Sequence, residues 1–257
     1  MGGAFVSVAD DPAATVINPA GLTQVTSIGF LSSFSNPYGL SDLSEGFVAA
    51  AIPTRIGSFG LSWHRFALKD VTAEDLFTLS YGRDLIRRAQ GASLSVGAGI
   101  DAARVSYDTY SDAKTAVTGS FAVLLRPFPI IGVGYTVRNI GEPSFDWVAG
   151  GGTSRLEMTH AFGFAYHWNR TFSVLYQRER GQDGVWRDRL GLEVFAGEKL
   201  RVRTGLAEGD VTGGLSVVIS RVIIDAGVSA HEELGLSYLV SVGVSLPSTS
   251  KEKGEEW

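Results

Sequence analysis

Gly2-Gly3-Ala4-Phe5-Val6-Ser7-Val8-Ala9-Asp10-Asp11-Pro12-Ala13-Ala14-Thr15-Val16-Ile17-Asn18-Pro19-Ala20-Gly21-Leu22 is the one stretch of this chain that does not read as strand and turn. Asp11 followed by Pro12 is a helix start, with a carboxylate cap and a proline at the first helical position, where its missing N–H costs nothing. Ala13, Ala14, Val16 and Ile17 would carry a short apolar helix. It should stop before Pro19, because the residue preceding a proline is pushed out of the α region. Pro19-Ala20-Gly21 then predicts a tight turn, with Gly21 supplying a positive φ.

Beyond this stretch, apolar residues alternate with small or polar ones almost to the C-terminus. Phe59, Leu61 and Trp63 alternate with Ser58, Gly60, Ser62 and His64; Phe162, Phe164, Tyr166 and Trp168 alternate with Ala161, Gly163, Ala165 and His167. Such a period of two is that of a strand with one apolar face. The other face is mostly Gly, Ser, Ala and Thr, and the apolar rows carry aromatics near their ends: Trp63, Tyr81, Tyr135, Tyr166 and Trp168. Many runs approach the ~9–11 residues that a tilted strand needs to cross a bilayer. About fourteen runs, an even number, predict an all-β transmembrane antiparallel barrel with its apolar face outward.

The connections support this orientation. Residues 35–45, 107–113 and 140–156 read as long loops on one side. Residues 53–57, 126–129, 168–171, 196–199 and 220–221 read as short turns on the other, the asymmetry of outer-membrane barrels. Connections 67–75 and 86–91 do not discriminate. The expected organisation is an N-terminal helical plug segment over residues 1–24, the barrel over 25–247 and a polar tail over 248–257.

The opening stretch resembles the N-terminal signature of the outer-membrane barrel family that includes the fatty-acid transporter FadL and the type IX secretion proteins PorV and PorQ. The matching residues are Gly2 to Val6, Ala9 to Asp11 and Asn18 to Leu22. The resemblance implies a bacterial outer-membrane location and a plug signature of Asp10, Asp11, Asn18, Pro19 and Gly21. Arg126-Pro127-Phe128-Pro129 and the final hairpin around Leu234-Gly235-Leu236-Ser237 resemble the PorV/PorQ branch. No signal peptide opens the chain, so Met1 is expected to be internal, with the true start upstream.

The chain has 257 residues, a net charge of -5, four histidines and no cysteine. Its charges are scattered, and no basic stripe points to nucleic acid. No apolar run approaches the ~18 residues of a membrane-spanning helix. Cysteine-based zinc sites and disulfides are excluded. No nucleophile elbow, His-Glu-x-x-His motif or phosphate-binding glycine loop is present. No catalytic residue, metal or cofactor is therefore expected.

Strand parity places His64, Asp101, Arg138, His167, Arg189, Glu193, Arg201, Arg203 and Asp225 on the inner face. Enclosed ionisable groups are usually paired, so a network of paired charges holding the plug is expected. A sharper alternative is an anion-selective constriction at Arg201 and Arg203. Asp10 and Asp11 are expected to meet one of these arginines, with Val16 and Ile17 packed on Gly97, Gly132 and Gly163. Because this face reads as polar, the leading functional expectation is a PorV/PorQ-like part in protein secretion or attachment, with outer-membrane lipid and secretion-system proteins as partners. A FadL-like channel for small hydrophobic ligands and a soluble β-sandwich binding module are the alternatives.

Overall fold

A computed structural model of the chain describes residues 1–108, 110–146, 153–169 and 171–247. The first seven strands are β1 Ile28–Asn36, β2 Leu43–Thr54, β3 Gly57–Leu68, β4 Thr72–Arg87, β5 Ser93–Tyr107, β6 Tyr110–Phe128 and β7 Ile131–Ile140. A small hairpin follows, β8 Ser144–Asp146 and β9 Thr153–Arg155. The remainder are β10 Thr159–Trp168, β11 Phe172–Arg180, β12 Trp186–Ala196, β13 Leu200–Ala207, β14 Asp210–Ile219, β15 Val222–His231 and β16 Gly235–Leu246.

Fourteen of these strands form one closed barrel in sequence order, with β7 pairing directly with β10 and the β8–β9 hairpin standing apart. The ring closes where β1 meets β16, from Ile28 opposite Leu246 to Asn36 opposite Tyr238. Every pairing around the ring is antiparallel. Closure leaves no strand edge with unpaired backbone groups.

Side-chain alternation sets the two faces. Phe34, Leu61, Ile100 and Val117 are 58%, 60%, 60% and 64% exposed on the outside, whereas Ala51, Ser62, Thr136 and Ala165 are buried inside. Phe59 packs on Tyr81 with ring centres 5.1 Å apart, and Trp168 stacks on Phe172 at 6.2 Å, near one rim. Trp63 stacks on Phe77 at 6.2 Å and Phe162 meets Trp186 at 6.3 Å, toward the opposite rim. Aromatic residues flanking an apolar band match the two interfaces of a bilayer.

The loop asymmetry differs from expectation. Residues 107–113 do not form a long loop, because β5 and β6 continue pairing as far as Tyr107 opposite Tyr110. Strands β4, β5 and β6 run to 16, 15 and 19 residues, so chain read as loop is taller wall. The 140–156 connection carries the β8–β9 hairpin, and its residues 147–152 lie outside the described residues. The expected polar tail, 248–257, lies outside them as well.

Residues 1–25 run across the interior. Helix α1 is a single turn, Ala14–Ile17, followed by a 3₁₀ segment, Pro19–Gln24. Asp11 Oδ1 accepts a hydrogen bond from the Ala13 N–H at 2.7 Å, one residue before the helix instead of as its cap. Only a few residues separate Pro12 from Pro19, too few to propagate a longer helix. Gly21 does not take a positive φ. A Cβ there would collide with the carbonyl and Cβ of Ala9, so glycine is required by the close approach of two limbs of the segment.

Candidate functional site

The inner wall fits the backbone of the N-terminal segment. The Gly2 N–H donates to Thr212 Oγ1 at 3.0 Å. Gln177 Oε1 accepts from the Phe5 and Val6 N–H groups at 3.0 and 3.1 Å, and its amide donates to Glu179 at 3.2 Å. A Cβ on Gly134 would strike the Val6 carbonyl, and one on Gly97 would strike Pro19 and Ala20. Gly132 and Gly163 both face Ser7. The small inner residues thus receive backbone, not the Val16 and Ile17 side chains as expected from sequence. Val16 and Ile17 instead border a cavity with Ser33, Glu45, His64 and Leu239.

Asn18 ties the segment to itself. Its Nδ2 donates to the Val6 carbonyl at 2.7 Å and its Oδ1 accepts from the Ala20 N–H at 3.1 Å, with the side chain fully buried beside buried Pro19. Arg87 donates to the Thr23 carbonyl at 3.2 Å, and Gln24 bridges the Val8 carbonyl and Arg126.

All nine residues assigned inward by parity occupy inward positions of their strands. Arg203 donates to Glu193 at 2.6 Å and to Asp225 at 2.8 Å, and Asp225 also accepts from the Ser216 and Ser241 hydroxyls. Arg189 and Arg138 reach Glu179 at 3.4 and 3.9 Å. Asp101 accepts from Thr78 at 2.5 Å, His64 contacts Glu45 at 2.7 Å and His167 contacts Ser173 at 2.8 Å. Arg201 is different: its guanidinium lies 5.5 Å from the centre of the Phe195 ring, and it forms no ion pair among the described residues. The expected contact of Asp10 or Asp11 with these arginines does not form. Arg203 is taken instead by Glu193, directly opposite it on β12, and by Asp225, two strands away on β15.

Between the segment and the wall lies a cavity of about 210 Å³. Phe5, Val8, Val25, Leu31, Leu175 and Ile223 line it together with Asp10, Asp11, Glu193, Arg201, Arg203 and Asp225. The apolar part went unread in the sequence. Leu31, Leu175 and Ile223 stand at inward parity among small or polar residues, a signal that parity counting could have found. Phe5, Val8 and Val25 belong to a segment with no strand parity. Burial pushes the Asp11 carboxyl up to about 7; the neighbouring Asp10 charge adds to this and the Ala13 N–H opposes it. Burial, and then Glu193, likewise raise Asp10. A second cavity, of about 280 Å³, opens among Val16, His64, Phe66, Asp101 and Arg138.

A closed antiparallel sheet satisfies every backbone group internally, and an apolar exterior between aromatic rows suits hydrocarbon. The chain folds as a transmembrane β-barrel of the outer-membrane type. No protein-family model and no curated protein sequence matches it. Among solved structures it is similar to the Pseudomonas putida toluene transporter TodX, with a TM-score of 0.67 and 10% identity over 92% of this chain and 94% of that one. A Pseudomonas aeruginosa FadL homologue matches with a TM-score of 0.58 and 12% identity over 95% and 96% of the two chains. A deltaS2S3 mutant of TodX, described as a monoaromatic hydrocarbon channel, matches at 0.65 and 10% over 91% and 94%. At such identities the likeness is one of fold.

Proposed function

We propose that the chain is a FadL-like outer-membrane channel through which small hydrophobic molecules enter, with residues 1–24 seated in its lumen as a plug. The observation that carries this reading is the partly apolar cavity between the segment and the wall, bordered by Phe5, Val8, Leu31 and Ile223. Lumen polarity was the reason to favour a secretion role, and the apolar lining removes that reason. At about 210 Å³ the cavity is smaller than the ~300–1,000 Å³ of drug-sized pockets, which favours a single-ring or short-chain molecule over a long acyl chain. The fold shared with TodX and a FadL homologue supports the same choice.

Uptake of labelled toluene by cells with an intact lipopolysaccharide leaflet tests the proposal. Cells carrying the chain should accumulate toluene several-fold faster than cells without it, and Ile223→Asp should remove most of the difference. Equal rates with and without the chain would refute it.

A further inference from the structure

The two ends of the barrel differ in charge. The short turns that join β2 to β3, β4 to β5, β12 to β13 and β14 to β15 carry Arg55, Arg88, Lys199 and Arg221 against the single acid Glu198. The connections at the opposite end carry, among the described residues, Lys69 and nine acidic residues from Asp42 to Glu233. Arg83 adds to the basic end. It stands on the outer face of β4, two residues from Tyr81, whose ring packs on Phe59. These five basic side chains are exposed, and among the described residues none of them joins an ion pair or a side-chain hydrogen bond. Arginines at the acidic end are paired: Arg155 holds Glu142, and Arg187 holds Asp183 and Glu208. Large apolar side chains stand among the unpaired bases. Ile56, Leu85 and Ile219 are 63%, 59% and 58% exposed, in or next to the same turns. An apolar tip beside a free guanidinium suits the boundary of a lipid leaflet, where the apolar part meets hydrocarbon and the charge reaches the head groups. A guanidinium also matches two phosphate oxygens with parallel N–H groups.

We propose that the short-turn rim binds anionic phospholipids of the leaflet around it, the periplasmic leaflet in the orientation that the connections predict. Arg55, Arg83, Arg88, Lys199 and Arg221 donate to the head-group phosphates, and Ile56, Leu85 and Ile219 rest on the first carbons of the acyl chains. The four turns lie on one arc of the ring, from β12 through the closure of β16 on β1 to β5, so the bound lipids gather along that arc. The acidic connections at the other end repel the same lipids, which confines the preference to one leaflet. This surface lies outside the lumen, and the inference does not rest on the ligand read for the cavity.

Native mass spectrometry of the purified full chain, released from detergent micelles that carry equimolar phosphatidylglycerol and phosphatidylcholine, tests it. The chain should retain phosphatidylglycerol about fivefold or more over phosphatidylcholine. Combining Arg55→Gln, Arg88→Gln and Arg221→Gln should bring that ratio close to one, and Arg55→Gln or Arg221→Gln alone should lower it in part. Combining Lys69→Gln, Arg155→Gln and Arg187→Gln makes the same change in net charge at the acidic end and should leave the ratio as it was. β-sheet circular dichroism verifies that each variant is folded. Equal retention of the two lipids by the wild-type chain, an unchanged ratio in the folded basic-end variants, or an equal loss in the acidic-end variant would overturn the inference.

Discussion

Asn18 does more than its place before a proline predicts. One buried amide holds the Val6 carbonyl and the Ala20 N–H, so it joins residues that the sequence separates by a whole turn of chain. Asn18→Ala strands both partners, and the segment should lose about 1–3 kcal/mol of local stability, read as faster hydrogen exchange at the Ala20 amide. Asp11 supplies a pH dependence whose sign follows from its raised carboxyl, at about 7 when the segment is docked against ~3.9 in an unfolded chain. Below the unfolded value the carboxyl is protonated in both states and docking is strongest. Between these values the docked segment binds the proton more tightly, so docking weakens as the pH rises and levels off above about 7. Asp10, also raised, acts in the same direction. Exchange protection of residues 1–24, corrected for intrinsic rates, should fall from pH 4 to pH 7, and less steeply in Asp11→Asn. A protection profile that rises with pH would contradict the assignment. The residues of the opening stretch were legible as a signature, but not as contacts: Gln177, which holds Phe5 and Val6, looks in sequence like any polar residue on an inward face.

At the scale of elements, period-two alternation located the strands because only a strand puts alternate residues on opposite faces. Loop lengths were less legible, since nothing in residues 107–113 distinguishes a long loop from strands that continue above the bilayer. The two faces can be tested on β16. Val242 faces outward and is 42% exposed, so Val242→Lys should cost about 2–4 kcal/mol if it lies at the bilayer midplane. Its neighbour Ser241 is a poor control, because its hydroxyl donates to Asp225. Leu239, inward and bordering a cavity, is the better comparison, and Leu239→Lys should be much milder in urea refolding into lipid vesicles. The N-terminal segment can be tested whole. Removing residues 1–24 should leave a barrel that inserts but conducts several-fold more in planar bilayers, since a barrel of this size is otherwise wide enough to need filling. A deletion that inserts and conducts like the full chain would place the segment outside the conducting path.

At the scale of the molecule, fourteen strands and one closed sheet followed from the alternation and its even count, whereas the lumen did not. Parity placed Arg201, Arg203, Glu193 and Asp225 inward, but register across β12 to β15 decides which of them pair. That pairing exists only after closure, so the sequence could not separate a constriction at two arginines from a neutralised cluster at one. The apolar lining escaped for a related reason: it is assembled from the N-terminal segment with the adjoining β1, from β11 and from β15, three regions far apart in the chain. A cavity so assembled is the centre of the functional account, and diffraction from crystals soaked in 4-bromotoluene tests it most directly. An anomalous bromine peak should appear inside the barrel, among Phe5, Val8, Leu31 and Ile223. Bromine found only along the exterior apolar belt, with none in the lumen, would contradict it.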